Sequence, residues 1–320
     1  MTTQPRHMVI TGGAGFIGSH LCDLFLEEGW RVTVVDDLST STLDNVAHLE
    51  GESRFDVIEQ DVSDWLPRFT RLDAILHLAS PASPKDYLER PIQTMRVGAE
   101  GTRHCLDLAT ERGATFLFTS TSEVYGDPLV HPQTEDYWGN VNPNGFRSVY
   151  DEAKRYAEAM IFAYRRTHGT DTRVVRLFNT YGSRMRIGDG RVVPAFMEKV
   201  ILGEPLQIHG DGSQTRSFAY VDDTIDGIRR MLYSDHPGPI NLGNPEERTI
   251  RDLAELCIEI FGTGGETLEF GPLPDDDPKV RKPDITLARQ VLGWDPKVSL
   301  PDGLRRSADY FREAVKAAHQ

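Results

Sequence analysis

The stretch His7-Met8-Val9-Ile10-Thr11-Gly12-Gly13-Ala14-Gly15-Phe16-Ile17-Gly18 decides the fold. It opens with a short run rich in β-branched side chains, continues through a glycine-rich turn, and is followed over residues 19–28 by a helical apolar pattern. Strand, glycine turn and helix are the context in which a Gly-x-Gly-x-x-Gly series binds a dinucleotide. Gly13 and Gly15, preceded by Gly12, let the backbone turn under a pyrophosphate seated on the helix N-terminus. Phe16 and Ile17 fill the same turn, and Gly18 lets helix and strand approach. A second strand, residues 31–35, ends in Asp36, at close to the spacing of a carboxylate that holds the adenosine ribose hydroxyls. A 2'-phosphate would meet like charge from Asp36 and Asp37, so NAD is predicted over NADP.

Working outward, the alternation continues. Residues 55–60 read as a third strand with Asp61 and Val62 at its end, where a side chain can reach adenine. Residues 73–78 are a fourth, closing on His77-Leu78-Ala79, and residues 93–112 carry a helical apolar pattern. Residues 114–119 are a fifth, which delivers the following segment to the carboxyl edge, where parallel sheets bind ligands. His77, closing a strand, reads as a packing or supporting residue. The predicted class is α/β: a Rossmann-type doubly wound parallel sheet with a smaller, C-terminal mixed α/β substrate-binding lobe. Residues 1–178 form the NAD-binding domain, with 215–238 returning to it; 179–214 and 239–320 form the second lobe.

Composition narrows the partners. A net charge of -14 argues against a nucleic-acid surface, so a polyanionic small substrate must be met by a few local arginines. Cys22, Cys105 and Cys257 are scattered and odd in number, which suits apolar fillers in a reducing compartment and neither a disulfide frame nor a metal site. There is no run of apolar residues long enough to span a membrane, and residues 1–8 are too short and polar for a signal peptide, so a cytoplasmic protein is expected. Residues 271–283, with Asp275, Asp276 and Asp277 among prolines, read as a crossing loop.

The chemistry is carried by Ser120-Thr121-Ser122-Glu123-Val124-Tyr125-Gly126 and, after an Asn-, Pro- and Gly-rich loop, Tyr150-Asp151-Glu152-Ala153-Lys154. On a helix Tyr150 and Lys154 share one face. An ammonium beside a phenol favours phenolate, lowering a pKa of about 10 in the free side chain. Tyr150 can then take a proton from a secondary alcohol as hydride leaves its carbon.

These segments resemble the extended short-chain dehydrogenase/reductase family of nucleotide-sugar enzymes. The likeness extends through Leu78-Ala79-Ser80-Pro81, Phe178-Asn179-Thr180-Tyr181-Gly182, Asp189-Gly190-Arg191-Val192-Val193, Gly210-Asp211-Gly212-Ser213-Gln214-Thr215-Arg216 and Arg281-Lys282-Pro283-Asp284-Ile285, almost to the C-terminus. Within the family, Ser122 with Glu123 is similar to the branch that decarboxylates UDP-glucuronate. Dehydratases have Asp at the place of Ser122, and 4-epimerases a small or apolar residue at the place of Glu123. The resemblance implies that Thr121 and Tyr150 bind the sugar C4 hydroxyl, that Lys154 holds phenolate and nicotinamide ribose, and that Ser122 and Glu123 order a water that reprotonates C5. Repulsion between Glu123 and the sugar carboxylate would favour loss of carbon dioxide. It further implies a UDP-sugar bound by Asn179, Arg191, Val193, Gln207 and His209, with Arg216 and Arg281 on the diphosphate or the glucuronate.

Several positions depart from the family pattern. His209 replaces the usual Tyr, Gly98 the usual Asn, Ala153 the usual Gly, Phe146 and Ser183 the usual Pro. Loss of the amide at 98 leaves a space for water or backbone to fill. The helices near 93–111 and 149–166 are the family's dimer faces, implying a homodimer; Ala157, Met160, Ile161 and Tyr164 form an apolar stripe that core packing explains equally well. A UDP-hexuronate or UDP-hexose 4-epimerase is the rival enzyme. From another class, an NAD-binding sensor is the rival, although such proteins commonly lose the Tyr or Lys that is present here.

Overall fold

The computed structural model describes residues 5–262, 264–272 and 280–319. Asp275 to Asp277, the centre of the expected crossing loop, lie outside the described residues. Runs such as Val32-Thr33-Val34-Val35 and Phe116-Leu117-Phe118 are apolar on both pleat faces, which suits strands covered by helices on both sides.

The first half runs β1 (His7–Thr11), α1 (Phe16–Glu27), β2 (Arg31–Asp36), β3 (Phe55–Glu59), β4 (Ala74–His77), α2 (Pro84–Glu89), α3 (Pro91–Arg96), α4 (Thr102–Arg112), β5 (Thr115–Thr121), α5 (Ser148–His168) and β6 (Thr172–Leu177). The second adds β7 (Thr180–Tyr181), α6 (Val192–Leu202), β8 (Leu206–His209), β9 (Thr215–Ser217), β10 (Ala219–Tyr220), α7 (Val221–Leu232), β11 (Ile240–Leu242), β12 (Glu247–Thr249), α8 (Ile250–Phe261), β13 (Leu268–Gly271) and α9 (Leu300–Ala318).

Seven strands form one parallel sheet in the order β11-β6-β5-β4-β1-β2-β3. The strand order reverses at β1, flanked by β2 on one side and β4 on the other. A crevice opens at such a point, outside the strands' carboxyl ends. The Gly12 amide bonds to the Val35 carbonyl at 2.9 Å and that of Leu78 to the Thr11 carbonyl at 3.0 Å, so the glycine turn, Asp36 and Ala79 meet at this edge. One expectation is corrected: residues 240–242, assigned to the second lobe, are the edge strand of the main sheet, because Ile240 and Leu242 complete its core at full burial.

The pattern over 93–112 is helical but interrupted. Residues 97–101 form a wide π-type turn between α3 and α4. Gly98 lies in this turn, and a Cβ there would stand 2.8 Å from the Cβ of Ala153 on α5. The two departures noted at 98 and 153 are thus one contact: the Ala153 methyl takes up the space expected to fall to water or backbone. On α5, Ala157 and Ile161 are fully buried in the cluster with Phe116 and Leu106, so this part of the stripe faces the sheet and not a partner.

Beyond the sheet, α6, α8 and α9 pack together around Phe196, Met197, Leu253, Cys257, Leu304 and Phe311. Thr249 and Asp252 start α8 with a reciprocal capping box. Helix α7 packs on β6 and α1 of the main sheet layer. All three cysteines are buried free thiols. Among the described residues no helix is long and apolar enough to cross a membrane, and no cluster of His, Cys, Asp and Glu can hold a metal ion.

Candidate active site

A cleft of about 1020 Å³ runs along the carboxyl edge of the sheet. Gly12, Gly15, Phe16, Ile17 and Gly18 line it, as do Asp61, Val62, Leu78 and Ala79. Gly13 does not, because the hydrogen that replaces its side chain faces Val34 beneath the turn. A methyl at Gly18 would stand 2.3 Å from the Gly12 carbonyl oxygen, so only glycine lets α1 start this close to β1. Asp36 is buried, accepting from the Ala14 amide at 3.0 Å, the Leu38 amide at 3.0 Å and Ser41 Oγ at 2.9 Å. Burial raises its pKa, and these donors work against that rise. Asp61 is fixed by Ser63 and Gln93.

At the opposite end, β8 alternates: Leu206 and Ile208 are buried, while Gln207 and His209 face the cleft. Gln207 is held by Glu269, and His209 Nδ1 lies 3.2 Å from the Pro272 carbonyl. Asn179, Val193 and Arg216 line the same wall. Arg191, at the start of α6, pairs with Asp189 through Nε at 2.7 Å.

The reactive centre lies between these ends. Thr121 closes β5 and caps a single turn over Ser122–Tyr125, accepting the Glu123 amide at 3.2 Å. The Tyr150 hydroxyl, in the first turn of α5, hydrogen-bonds Thr121. Its ring stacks on Tyr87 with centroids 5.3 Å apart and planes within 8°. Lys154 Nζ donates to the Thr119 carbonyl at 2.9 Å and lies 5.8 Å from the centre of the Tyr150 ring. The expected lowering of the phenol pKa is not found. Burial pushes Tyr150 up, against the Thr121 hydrogen bond, and burial pulls the Lys154 ammonium down to about 7, against the attraction of Glu158. Both groups are desolvated together, and the ammonium spends its hydrogen bond on a carbonyl below the phenol.

Glu123 sits between two guanidiniums. Arg147 Nη2 reaches one carboxylate oxygen at 3.1 Å, and Arg281 Nη1 holds the other while its Nη2 donates to the Gly126 carbonyl at 3.1 Å. Burial alone would raise the carboxyl, but Arg281 and then Arg147 bring it down to about 2. Arg147 and Arg281 together offset the charge of Glu123, which weakens the repulsion of a substrate carboxylate expected from it. Arg281 Nε is buried and has no protein partner. Behind the site, Ser120 donates to Glu158 at 2.6 Å, Glu158 takes Arg176 through both oxygens, and Arg176 reaches Tyr125 at 2.9 Å. His77 is buried between Thr11 and Thr102, outside the cleft, and burial lowers it to about 3.

Sequence reasoning missed Arg147 and Tyr87, both of which line the cleft. Arg147 had a signal: it stands three residues before Tyr150, one helical turn away on the same face. Tyr87 had none, because its stacking on Tyr150 depends on how α2 packs.

The chain belongs to the NAD dependent epimerase/dehydratase family, whose model matches residues 8–243. Its relatives narrow the field. It is 50% identical over 306 residues to UDP-glucuronic acid decarboxylase 6 of Arabidopsis thaliana, covering 95% of this chain and 88% of that one. It is 47% identical over 311 residues to UDP-glucuronic acid decarboxylase 1 of Xenopus tropicalis, covering 97% and 73%. In fold it is similar to UDP-glucuronic acid 4-epimerase from Bacillus cereus in complex with UDP-glucuronic acid and NAD, with a TM-score of 0.84, 29% identity and coverage of 96% and 99%. NAD is the cofactor of the family, and the close glycine turn with Asp36 beyond it fits that dinucleotide.

Proposed function

We propose that this chain is an NAD-dependent UDP-glucuronate decarboxylase that forms UDP-xylose. The observation that carries the reading is the Arg147–Glu123–Arg281 cluster beside Tyr150, whose guanidiniums suit a uronate carboxylate, in a chain half identical to named UDP-glucuronic acid decarboxylases.

NAD, when bound, accepts the hydride from sugar C4 and later returns it. Tyr150 takes the C4 hydroxyl proton while Thr121 holds the oxygen, and Lys154, beneath them, steadies the charge. With C4 a ketone, the C6 carboxylate belongs to a β-keto acid. The C5–C6 bond breaks, carbon dioxide leaves, and the electron pair moves onto the C4 oxygen as an enolate. Protonated Tyr150 donates to that oxygen. A water held by Ser122 and Glu123 supplies the proton to C5. Arg281, through its unpartnered Nε, takes the glucuronate carboxylate, while Arg216, Arg191, Asn179 and Val193 take the diphosphate end and Gln207 with His209 the uracil.

We assign residues 1–178 with 215–238 to cofactor binding and most of the remainder to the nucleotide sugar. The three free thiols support a cytoplasmic setting, and the exposed Ile92 and Met95 on α3 support a homodimer. A 4-epimerase reading has the likeness to the Bacillus cereus enzyme in its favour. The sensor reading has against it that Thr121, Glu123, Tyr150 and Lys154 all converge in the cleft. Incubation with UDP-glucuronate and NAD, followed by mass spectrometry, separates them: a product lighter by carbon dioxide supports the proposal, an isomer of unchanged mass supports epimerisation, and no turnover supports the sensor.

A further inference from the structure

Residues 183–190, between β7 and α6, cross the mouth of the cleft and grip the dinucleotide-binding half in three places. On α1, the Ser183 carbonyl meets His20 Nε2 at 3.0 Å and Arg184 pairs with Asp23 at 2.7 Å. In the loop after β2, the Thr40 carbonyl accepts from Arg186 Nη1 at 3.1 Å. On α2, Asp86 accepts from Arg186 Nη2 at 2.6 Å, and Lys85 reaches the Gly188 carbonyl at 3.4 Å.

Arg186 makes two of these bonds with one planar fork. Because β2 and β4 flank β1, the loop after β2 and the helix after β4 stand on opposite banks of the crevice floored by the glycine turn. Thr40, Asp86 and Arg186 all line the cleft. Asp86 is pre-set for the contact by Ser83, whose hydroxyl donates to its other oxygen at 2.7 Å. A guanidinium is suited to such bridging because its donors point apart in a fixed plane.

We infer that Arg186 is a latch that retains NAD in the cleft between turnovers. A reaction that takes hydride from its substrate and gives it back leaves the cofactor as it began, so nothing requires release. Parting the two banks to let a dinucleotide out breaks both bonds of Arg186. The inference rests on the NAD site and not on the decarboxylase reading, and its primary test, the rate of NAD release, needs no sugar substrate.

The test is the rate at which NAD leaves the purified holoenzyme, followed by rapid gel filtration into cofactor-free buffer. Arg186→Met keeps the aliphatic stem and removes both bonds; release is expected to quicken about fivefold, the scale of a partly exposed charged contact. Asp86→Asn is expected to quicken it less, and Arg186→Lys to restore part of the retention. High salt should speed release from the native protein more than from Arg186→Met, since the Arg186 side chain is 40% exposed. Activity lost on dilution of Arg186→Met should return on adding NAD. Unchanged release from both Arg186→Met and Asp86→Asn would overturn the latch, as would a loss of activity in Arg186→Met that saturating NAD does not repair. Should Arg186→Met fail to fold, the Asp86→Asn rate decides alone.

Discussion

Arg281 and Glu123, 158 residues apart in the chain, form an ion pair beside Tyr150. Arg281 is almost wholly buried, so its partner is not interchangeable with water. Replacing Arg281 with Ala leaves the Glu123 carboxylate with Arg147 alone and is expected to cost about 1.5 to 3 kcal/mol of stability. The double variant Arg281→Ala with Glu123→Ala should cost less than the sum of the two single changes. Urea unfolding at a fixed NAD concentration checks both.

Glu123→Gln keeps the shape of the cluster but removes the charge proposed to order a water near C5. Turnover is expected to fall about 100-fold, with the 4-keto sugar accumulating because the steps after oxidation are the ones slowed. Mass spectrometry of quenched reactions reads this directly. Loss of activity without any keto sugar would place Glu123 in the oxidation step.

Tyr150→Phe removes the hydroxyl proposed as the proton acceptor while leaving the stacking on Tyr87 and the glycine turn in place. Turnover should drop by about 1000-fold with NAD still bound, as measured by the cofactor carried through purification.

Asp151 has a buried carboxylate oxygen with no hydrogen-bond partner. Burial, and then repulsion from Glu123, raise its pKa from the usual 3.8 to about 7. A carboxyl raised on folding contributes stability at low pH that is lost as pH climbs through the folded value. Asp151→Asn should therefore gain on the native protein as pH rises from about 4 to about 7 and level off above it, by roughly 1 to 2 kcal/mol. Thermal unfolding across that pH range is the measurement, and parallel curves would contradict the expectation.

Gly98→Ala forces a methyl against Ala153, and overpacking of this kind costs about 1 to 3 kcal/mol. Because α5 carries Tyr150 and Lys154, activity should fall with stability. Ala153→Gly in the same chain should restore most of both, and a double-mutant cycle in unfolding free energy measures the coupling.

Local spacing was enough to read the glycine turn, Asp36 and the helix face that Tyr150 shares with Lys154. Each depends on contacts within one strand-turn-helix unit or one helical face, where geometry follows from residue number. The edge strand at 240–242 was misassigned because three apolar residues fit the main sheet or the second lobe equally well until the neighbour, β6, is known.

The amino-acid sequence by itself determined the dinucleotide fold and the cofactor, and put Tyr150 and Lys154 on one helical face, since these follow from short-range pattern. The tertiary structure alone decided that Arg281 and Arg147 enclose Glu123, that Arg186 spans the crevice, and that burial sets Tyr150 and Lys154 against the simple expectation. A guanidinium's partner and a buried group's pKa depend on what surrounds them in space, and desolvation has no signature in the order of residues along a chain.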